Sequence, residues 1–229
     1  MTSGIAHLEA RWRLGGNFDA QGRRSQLKSA ISDLPGGLKG KTSLTHHPDM
    51  TYGELSLRSE PAETGDIFPL LPASEALPFF MNKIERLTPI LPDIFGMGLI
   101  VSFEQFEETA AAALQATLKL VGPVGIPASA SDFVFQFSMP PFTLGIVQDV
   151  QLIRHVKWQQ FLNRYTPPDN ALVPRHKTQQ WTSNIVMTVS MISAHMLYEH
   201  DAQMAIWSEI QDEMEMLLKN PTVANLGGG

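Results

Sequence analysis

The chain has 229 residues, of which 43% are hydrophobic and 17% are charged, and none is cysteine. This balance is typical of a folded protein, and the lack of cysteine excludes disulfides, a thiolate nucleophile and a cysteine-ligated zinc site. The 23 acidic residues outnumber the 17 basic ones, so the net charge disfavours general attraction to nucleic acid.

Local patterns in the first part of the chain predict two strands and two helices. Residues 5–14 and residues 50–59 alternate between apolar and polar side chains, which predicts two half-buried strands. Residues 23–32 carry apolar side chains four positions apart and predict a short helix. A second helix is predicted to begin at Ser74, whose side chain is the expected N-cap, and to end near Leu87.

The middle of the chain combines apolar strands with an alanine-rich segment. Residues 98–103 form a compact apolar run and predict a strand. Residues 104–121 begin with glutamates, contain a run of alanines and stop before Gly122, which predicts a helix over the whole segment. Residues 132–139 alternate and predict a strand that places three aromatic side chains on one face, namely Phe133, Phe135 and Phe137.

The last part of the chain contains the clearest predicted helix. Residues 144–165 fit both a strand and a helix, and we interpret them as a strand followed by a short helix. Residues 184–192 are β-branched and alternating, as expected for a central strand. In residues 201–219 apolar side chains recur at three- and four-residue steps. This spacing predicts an amphipathic helix that buries Trp207, Ile210, Met214 and Leu217.

The succession of elements predicts the fold class. Helices interspersed among alternating strands favour an α+β fold, with a largely antiparallel sheet and helices packed mainly on one face. A doubly wound parallel sheet is the alternative, but it would require more continuous apolar strands. We expect a single globular domain over residues 1–226 and a flexible glycine tail at residues 227–229.

Two adjacent histidines and a nearby aspartate are weak candidates for a metal site. His46, His47 and Asp49 are ligand types that zinc or ferrous iron accepts. Because Pro48 and Asp49 also favour a turn, we interpret the segment as a solvated turn and expect no bound metal. Residues 36–42, rich in glycine and lysine, lack the context of a phosphate-binding loop, so they predict a flexible basic loop.

Basic and aromatic residues lie close together in sequence between residues 154 and 181. Arginine and aromatic side chains can together bind an anion or anchor a protein partner. The same pattern is typical of a strand that buries its aromatic residues and exposes its charges, and this alternative stays open. The residues that we select as candidates for binding are Arg154, Lys157, Trp158, Arg164 and Arg175.

The chain lacks the short motifs of several common enzyme classes. It contains neither a G-x-S-x-G nucleophile elbow nor a glycine-rich dinucleotide fingerprint after a predicted strand. We therefore expect a non-catalytic binding or interaction module with a protein partner and no cofactor. The alternative is a metal-dependent hydrolase with a His/Asp site, so whether the protein is an enzyme stays open. Lacking a signal sequence or a run of about 18 apolar residues, it is expected to be soluble and cytoplasmic.

The turn interpretation makes a prediction about metal content. His46→Ala and Asp49→Ala should leave folding and any activity intact, because a solvated turn depends on neither side chain. The measurement is elemental analysis of protein purified without an affinity tag, beside both variants. Stoichiometric zinc, iron or manganese in the parent that disappears in both variants would overturn the turn interpretation in favour of the metal-dependent hydrolase.

Overall fold

The structure is a computed structural model, and it describes residues 3–15, 38–46, 52–61, 70–91, 94–122, 124–126, 130, 132–145, 147, 149–164, 179–193, 197 and 199–226. For residues 38–46, 52–61, 163–164, 179 and 192 it describes the backbone alone. Several predicted features lie outside the described residues. They are the helix at 23–32, the residues His47, Asp49 and Arg175, and the tail at 227–229.

The described strands form one sheet in which the pairings are antiparallel. In chain order they are β1 (Ser3–Gly15), β2 (Leu38–His46), β3 (Tyr52–Pro61), β4 (Ile94–Glu107), β5 (Phe133–Ser138), β6 (Phe142–Thr143), β7 (Val150–Arg164) and β8 (Gln179–Ser193). Across the sheet they stand in the order β2-β3-β1-β4-β8-β7-β5, and β6 pairs with β7. The predicted strand at residues 184–192 is confirmed as a central strand of this sheet.

The described residues also form three long helices, numbered in chain order. They are α1 (Ala73–Leu87), α2 (Ala110–Val121) and α3 (His200–Lys219). A 3₁₀ turn, Thr88–Ile90, follows α1, and a single helical turn, α4 (Val223–Leu226), follows α3. None of the described helices combines the length and the apolar character that crossing a membrane requires.

The three long helices pack on one face of the sheet. Trp207 of α3 contacts Trp12 of β1, and Thr117 of α2 hydrogen-bonds to Ser183 of β8. The strand registers place Trp12 and Ser183 on the same face, and α1 contacts both β1 and α3. We name this side the helix-covered face, and the side on which no described helix packs the open face. The predicted α+β fold, with helices mainly on one face, is confirmed.

Alternate residues of the central strands form the hydrophobic core. Ala10, Leu99 and Val189 lie side by side on β1, β4 and β8, and all three are buried. The helices complete this core by packing on the helix-covered face. The apolar side of α3 is fully buried as predicted, and its members are Trp207, Ile210, Met214 and Leu217.

The aromatic face of β5 also matches its prediction. Phe133, Phe135 and Phe137 are half-buried, whereas the residues between them are exposed. The rings of Phe135 and Phe137 lie 5.9 Å and 5.5 Å from that of Trp158 on β7. An alternating strand therefore extends the core to this edge of the sheet.

The predicted helix at residues 104–121 begins later than its local pattern indicates. Strand β4 continues to Glu107, which pairs with Trp181 of β8, and α2 begins only at Ala110. The side chain of Thr109 caps that helix by accepting the N–H of Ala112 at 3.1 Å. The prediction was wrong for residues 104–107 because pairing with a distant strand outweighs local helix propensity.

Three further local predictions are corrected by long-range pairing or by backbone hydrogen bonds. Residues 38–42 belong to β2, which pairs with β3, and are not a loop. Residues 150–164 form one strand without the predicted short helix, because β7 pairs with β8 over that whole length. Ser74 is not the N-cap of α1, since the carbonyl of Pro72 already accepts the N–H groups of Glu75 and Ala76.

The buried side of α3 predicts a large loss of stability on truncation. Trp207→Ala should lower the free energy of unfolding by about 3–5 kcal/mol, because it removes a fully buried aromatic ring. Urea denaturation measures this loss. Met216→Ala on the exposed side of the same helix is the control and should change stability by no more than about 0.5 kcal/mol. Equal midpoints for the parent and Trp207→Ala would contradict this account of the core.

Candidate functional site

The open face carries polar side chains near the centre of the sheet. Strand registers place them on the same side of four neighbouring strands, opposite to the helices. Several are buried although no described helix lies over them. The residues considered below are His7, Glu9 and Arg11 of β1, Ser102 and Glu104 of β4, Asn184 of β8, and Lys157 and Gln159 of β7.

Three of these residues form a continuous polar row across β4, β8 and β7. Glu104, Asn184 and Gln159 are direct neighbours in the strand registers. The amide of Gln159 donates to Oδ1 of Asn184 at 3.2 Å, and Nδ2 of Asn184 donates to Glu104 at 3.2 Å. Nδ2 of Asn184 also donates to the hydroxyl of Ser102 at 2.6 Å. Asn184 is 1% exposed, so these bonds fix the orientation of a buried amide.

The carboxyl group of Glu104 is electrostatically perturbed. Its burial raises the pKa above the ordinary value, because the charged form loses contact with water. The hydrogen bond from Asn184 and the nearby charge of His7 act in the opposite direction but do not cancel the shift. Glu104 therefore keeps its proton to a higher pH than an exposed glutamate does.

A second polar group lies on β1 beside the row. Glu9 accepts a hydrogen bond from Nε of Arg11 at 2.9 Å and lies 3.4 Å from Nε2 of His7. The three side chains share one face because they are two residues apart on a strand. The Glu9 side chain is 6% exposed and that of Arg11 is 46% exposed. The ion pair therefore combines a buried carboxylate with a guanidinium that reaches solvent.

The donors and acceptors of this arrangement bind one another within the sheet, and Asn184 and Glu9 are buried. The side chains of the β1 group that reach solvent are those of His7 and Arg11. In the part of the chain that the structure describes, no three histidine, aspartate or glutamate side chains are grouped as metal ligands would be. The metal candidates are only partly placed. His46 is the last residue of β2, and His47 and Asp49 lie outside the described residues.

The structure separates the candidate binding residues that lie close together in sequence. Trp158 is fully buried on the helix-covered face, and its indole N–H donates to the carbonyl of Pro221 at 2.8 Å. Arg154 is on the same face, where it pairs with Glu213 at 3.2 Å. Its guanidinium also lies 4.8 Å from the centre of the Phe142 ring. These contacts join β7 to the helical layer.

The three remaining candidates do not lie with Trp158 and Arg154. Lys157 lies on the open face, because neighbouring residues of a strand point to opposite sides and Trp158 points to the helices. Its side chain is half-buried. Arg164 is the last residue of β7, with only its backbone described, and Arg175 lies outside the described residues. A shared anion-binding role for all five residues remains a prediction.

Sequence reasoning missed the polar row on the open face. Its members come from three strands, and one of them, Glu104, was assigned to a helix. A signal for it was present, since Ser102 and Glu104 continue the alternation of the preceding strand. Extending that strand would have placed both residues on the side away from Val101 and Phe103.

The comparisons with known proteins do not assign a function. No known protein family matches the chain, and neither a curated protein nor a solved structure matches it. The functional argument therefore depends on the geometry of the open face.

The raised pKa of Glu104 makes a prediction about stability and pH. The folded state holds this proton more tightly than the unfolded state, so ionisation opposes folding as the pH rises through the folded pKa. Glu104→Gln keeps an acceptor oxygen for Asn184 but cannot ionise. The variant should therefore have a higher Tm than the parent at neutral pH. The difference should shrink as the pH falls below about 4, where both states of the parent are protonated.

Thermal melts between acidic and neutral pH measure this difference. Glu85→Gln is the matched control, because Glu85 is exposed on α1 and lies outside the polar row. It should show no comparable gain in Tm. A Tm for Glu104→Gln at or below that of the parent at neutral pH would contradict the prediction.

Proposed function

We propose that this protein is a non-catalytic binding protein whose protein partner docks on the open face. The observation that carries this proposal is the set of polar side chains that reach solvent around the polar row. The three long helices that the structure describes lie against the opposite side of the sheet, and exposed Arg11 and Arg13 and half-buried Lys157 stand on the side where no described helix packs.

The size of the open face supports a protein partner. Strands about 4.8 Å apart that rise about 3.3 Å per residue give β1, β4, β8, β7 and β5 a surface of roughly 20 Å by 30 Å. This outline of about 600 Å² includes residues that are already buried within the chain, such as Glu9 and Asn184, so a partner would contact the exposed and half-buried side chains around them. A small ligand would contact only part of such a surface.

The distribution of polarity supports the same function. Asn184 at the centre of the polar row is buried and hydrogen-bonded, whereas Arg11 and Arg13 on β1 are exposed. Lys157, two residues from Gln159 at the β7 end of the row, is half-buried. Protein interfaces concentrate their charges at the rim, where these charges increase the association rate and select the partner.

This function predicts that charge reversal on the open face weakens partner binding. Lys157→Glu should lower the affinity about tenfold, because it replaces a cation of the open face by an anion and leaves the helix-covered core unchanged. The full chain is used to capture partners from a cell lysate, and the affinity of one purified partner is then measured for parent and variant.

Lys219→Glu is the matched control for this experiment. Lys219 is exposed at the end of α3, on the helical side of the protein, where it forms a surface ion pair with Glu215. The Lys219→Glu variant should leave the affinity for the partner unchanged. Equal losses for the two variants, or no loss for Lys157→Glu, would remove the open face as the binding surface.

A further inference from the structure

Strand β5 lies at one edge of the sheet. It pairs with β7 along its whole length, Phe133–Ser138, and no described strand pairs with its outer side. The outer side of such a strand presents unpaired N–H and C=O groups, which are a template for another strand. The edge therefore offers backbone hydrogen bonds to a strand from another molecule.

The phase of the hydrogen bonds identifies the outward groups. Just beyond β5, the N–H of Met139 donates to the carbonyl of Arg154 on β7 at 2.9 Å. Along an antiparallel pair, residues whose N–H and C=O groups point to the partner strand alternate with residues whose groups point away. The phenylalanines of β5 therefore direct these groups towards β7, as Met139 does. The outward N–H and C=O groups are those of Val134, Gln136 and Ser138.

The composition of β5 does not protect this edge. Its sequence, FVFQFS, contains no charged residue, proline or glycine, and these are the residues by which proteins commonly prevent edge pairing. The strand at the opposite edge, β2, contains two lysines and a glycine. Val134 is 54% exposed and is the most exposed large hydrophobic residue that the structure describes. The sequence of β5 thus favours pairing with another strand.

We propose that β5 pairs with β5 of a second copy of this chain, antiparallel and across a twofold axis at Phe135. In this register Phe133 lies opposite Phe137 of the partner subunit, and Val134 lies opposite Gln136 of the partner subunit. The two sheets then continue as one through the dimer. A closed twofold contact of this kind uses the same surface on both subunits.

Self-complementarity is the reason for a second copy as the occupant. Pairing outward residues with outward residues also aligns phenylalanine with phenylalanine, so aromatic side chains meet on the helix-covered face. These rings are half-buried in one chain, and the partner's rings would cover their exposed parts. The strand itself carries no charge, so the pairing places no like charges directly opposite each other within β5. The outward groups of Val134 and Gln136 supply about four hydrogen bonds between the subunits.

The mass of the full chain in solution tests this pairing. Sedimentation equilibrium should give twice the 25.3 kDa mass of one chain. Gln136→Pro removes an outward N–H from each subunit and no bond to β7, and proline is tolerated at such edge positions. It should weaken the dimer about thirtyfold, the effect of losing two ordinary hydrogen bonds. Gln136→Thr keeps the N–H group and should remain dimeric.

A cysteine cross-link tests the register even if the proline variant fails to fold. The parent contains no cysteine, so Val134→Cys and Gln136→Cys each introduce a single thiol. Directly paired positions lie about 5.5 Å apart between Cα atoms, which suits a disulfide, whereas diagonal positions lie about 7–8 Å apart. An equimolar mixture of the two variants should therefore form disulfide dimers on mild oxidation, and either variant alone should form few.

Three results would overturn the pairing. One is a monomeric parent at every concentration, which would leave the edge for an extended peptide of another protein. Another is a folded Gln136→Pro variant that dimerises like the parent. The third is cross-linking of Val134→Cys alone as efficiently as the mixture. Lys157→Glu should keep the parent's mass, so this proposal and the proposed function can fail separately.

Discussion

The alternation of side chains along each strand is the constraint on which the rest of this structure depends. The registers keep that alternation in phase across the central strands, so apolar residues collect on one face and are covered by the helices. Arg154 is a charged exception on that face, and it is compensated by Glu213 and by the ring of Phe142. A shift of one residue in any central strand would exchange its two faces. The open face is therefore a consequence of how the core forms.

The fold class, the central strands and the last helix could be predicted because their patterns are local and agree with their final environment. The predictions were wrong where a distant strand determined the conformation. Residues 104–107 carry glutamates that favour the start of a helix, yet β8 offers them a complete ladder. Residues 38–42 contain glycine and lysine, which are typical of a loop, but β3 pairs with them. Backbone pairing over long distances leaves little trace in a short window of sequence.

The candidate site was less predictable than the fold, for the same physical reason. Sequence neighbours such as Lys157 and Trp158 are placed on opposite faces of one strand. Residues far apart in sequence are brought together instead, and Asn184 binds Glu104, which lies 80 positions earlier. Residues that lie close together in sequence therefore need not lie close together in the structure. A site is formed by residues that are neighbours across the paired strands. The edge strand β5 differs from the polar row, because the feature that favours its pairing with a second copy lies in six consecutive residues.

The contact between Trp12 and Trp207 joins β1 to α3, with ring centres 5.4 Å apart. During synthesis on the ribosome, β1 is made long before the helix that covers its tryptophan. Contacts between segments so far apart in sequence form slowly, because a long loop must close before they stabilise anything. The part of the apolar side that α3 covers, including Trp12, therefore lacks this cover in the nascent chain until α3 is made. Apolar surface that is exposed in an incomplete chain favours aggregation, and chaperones bind such surface.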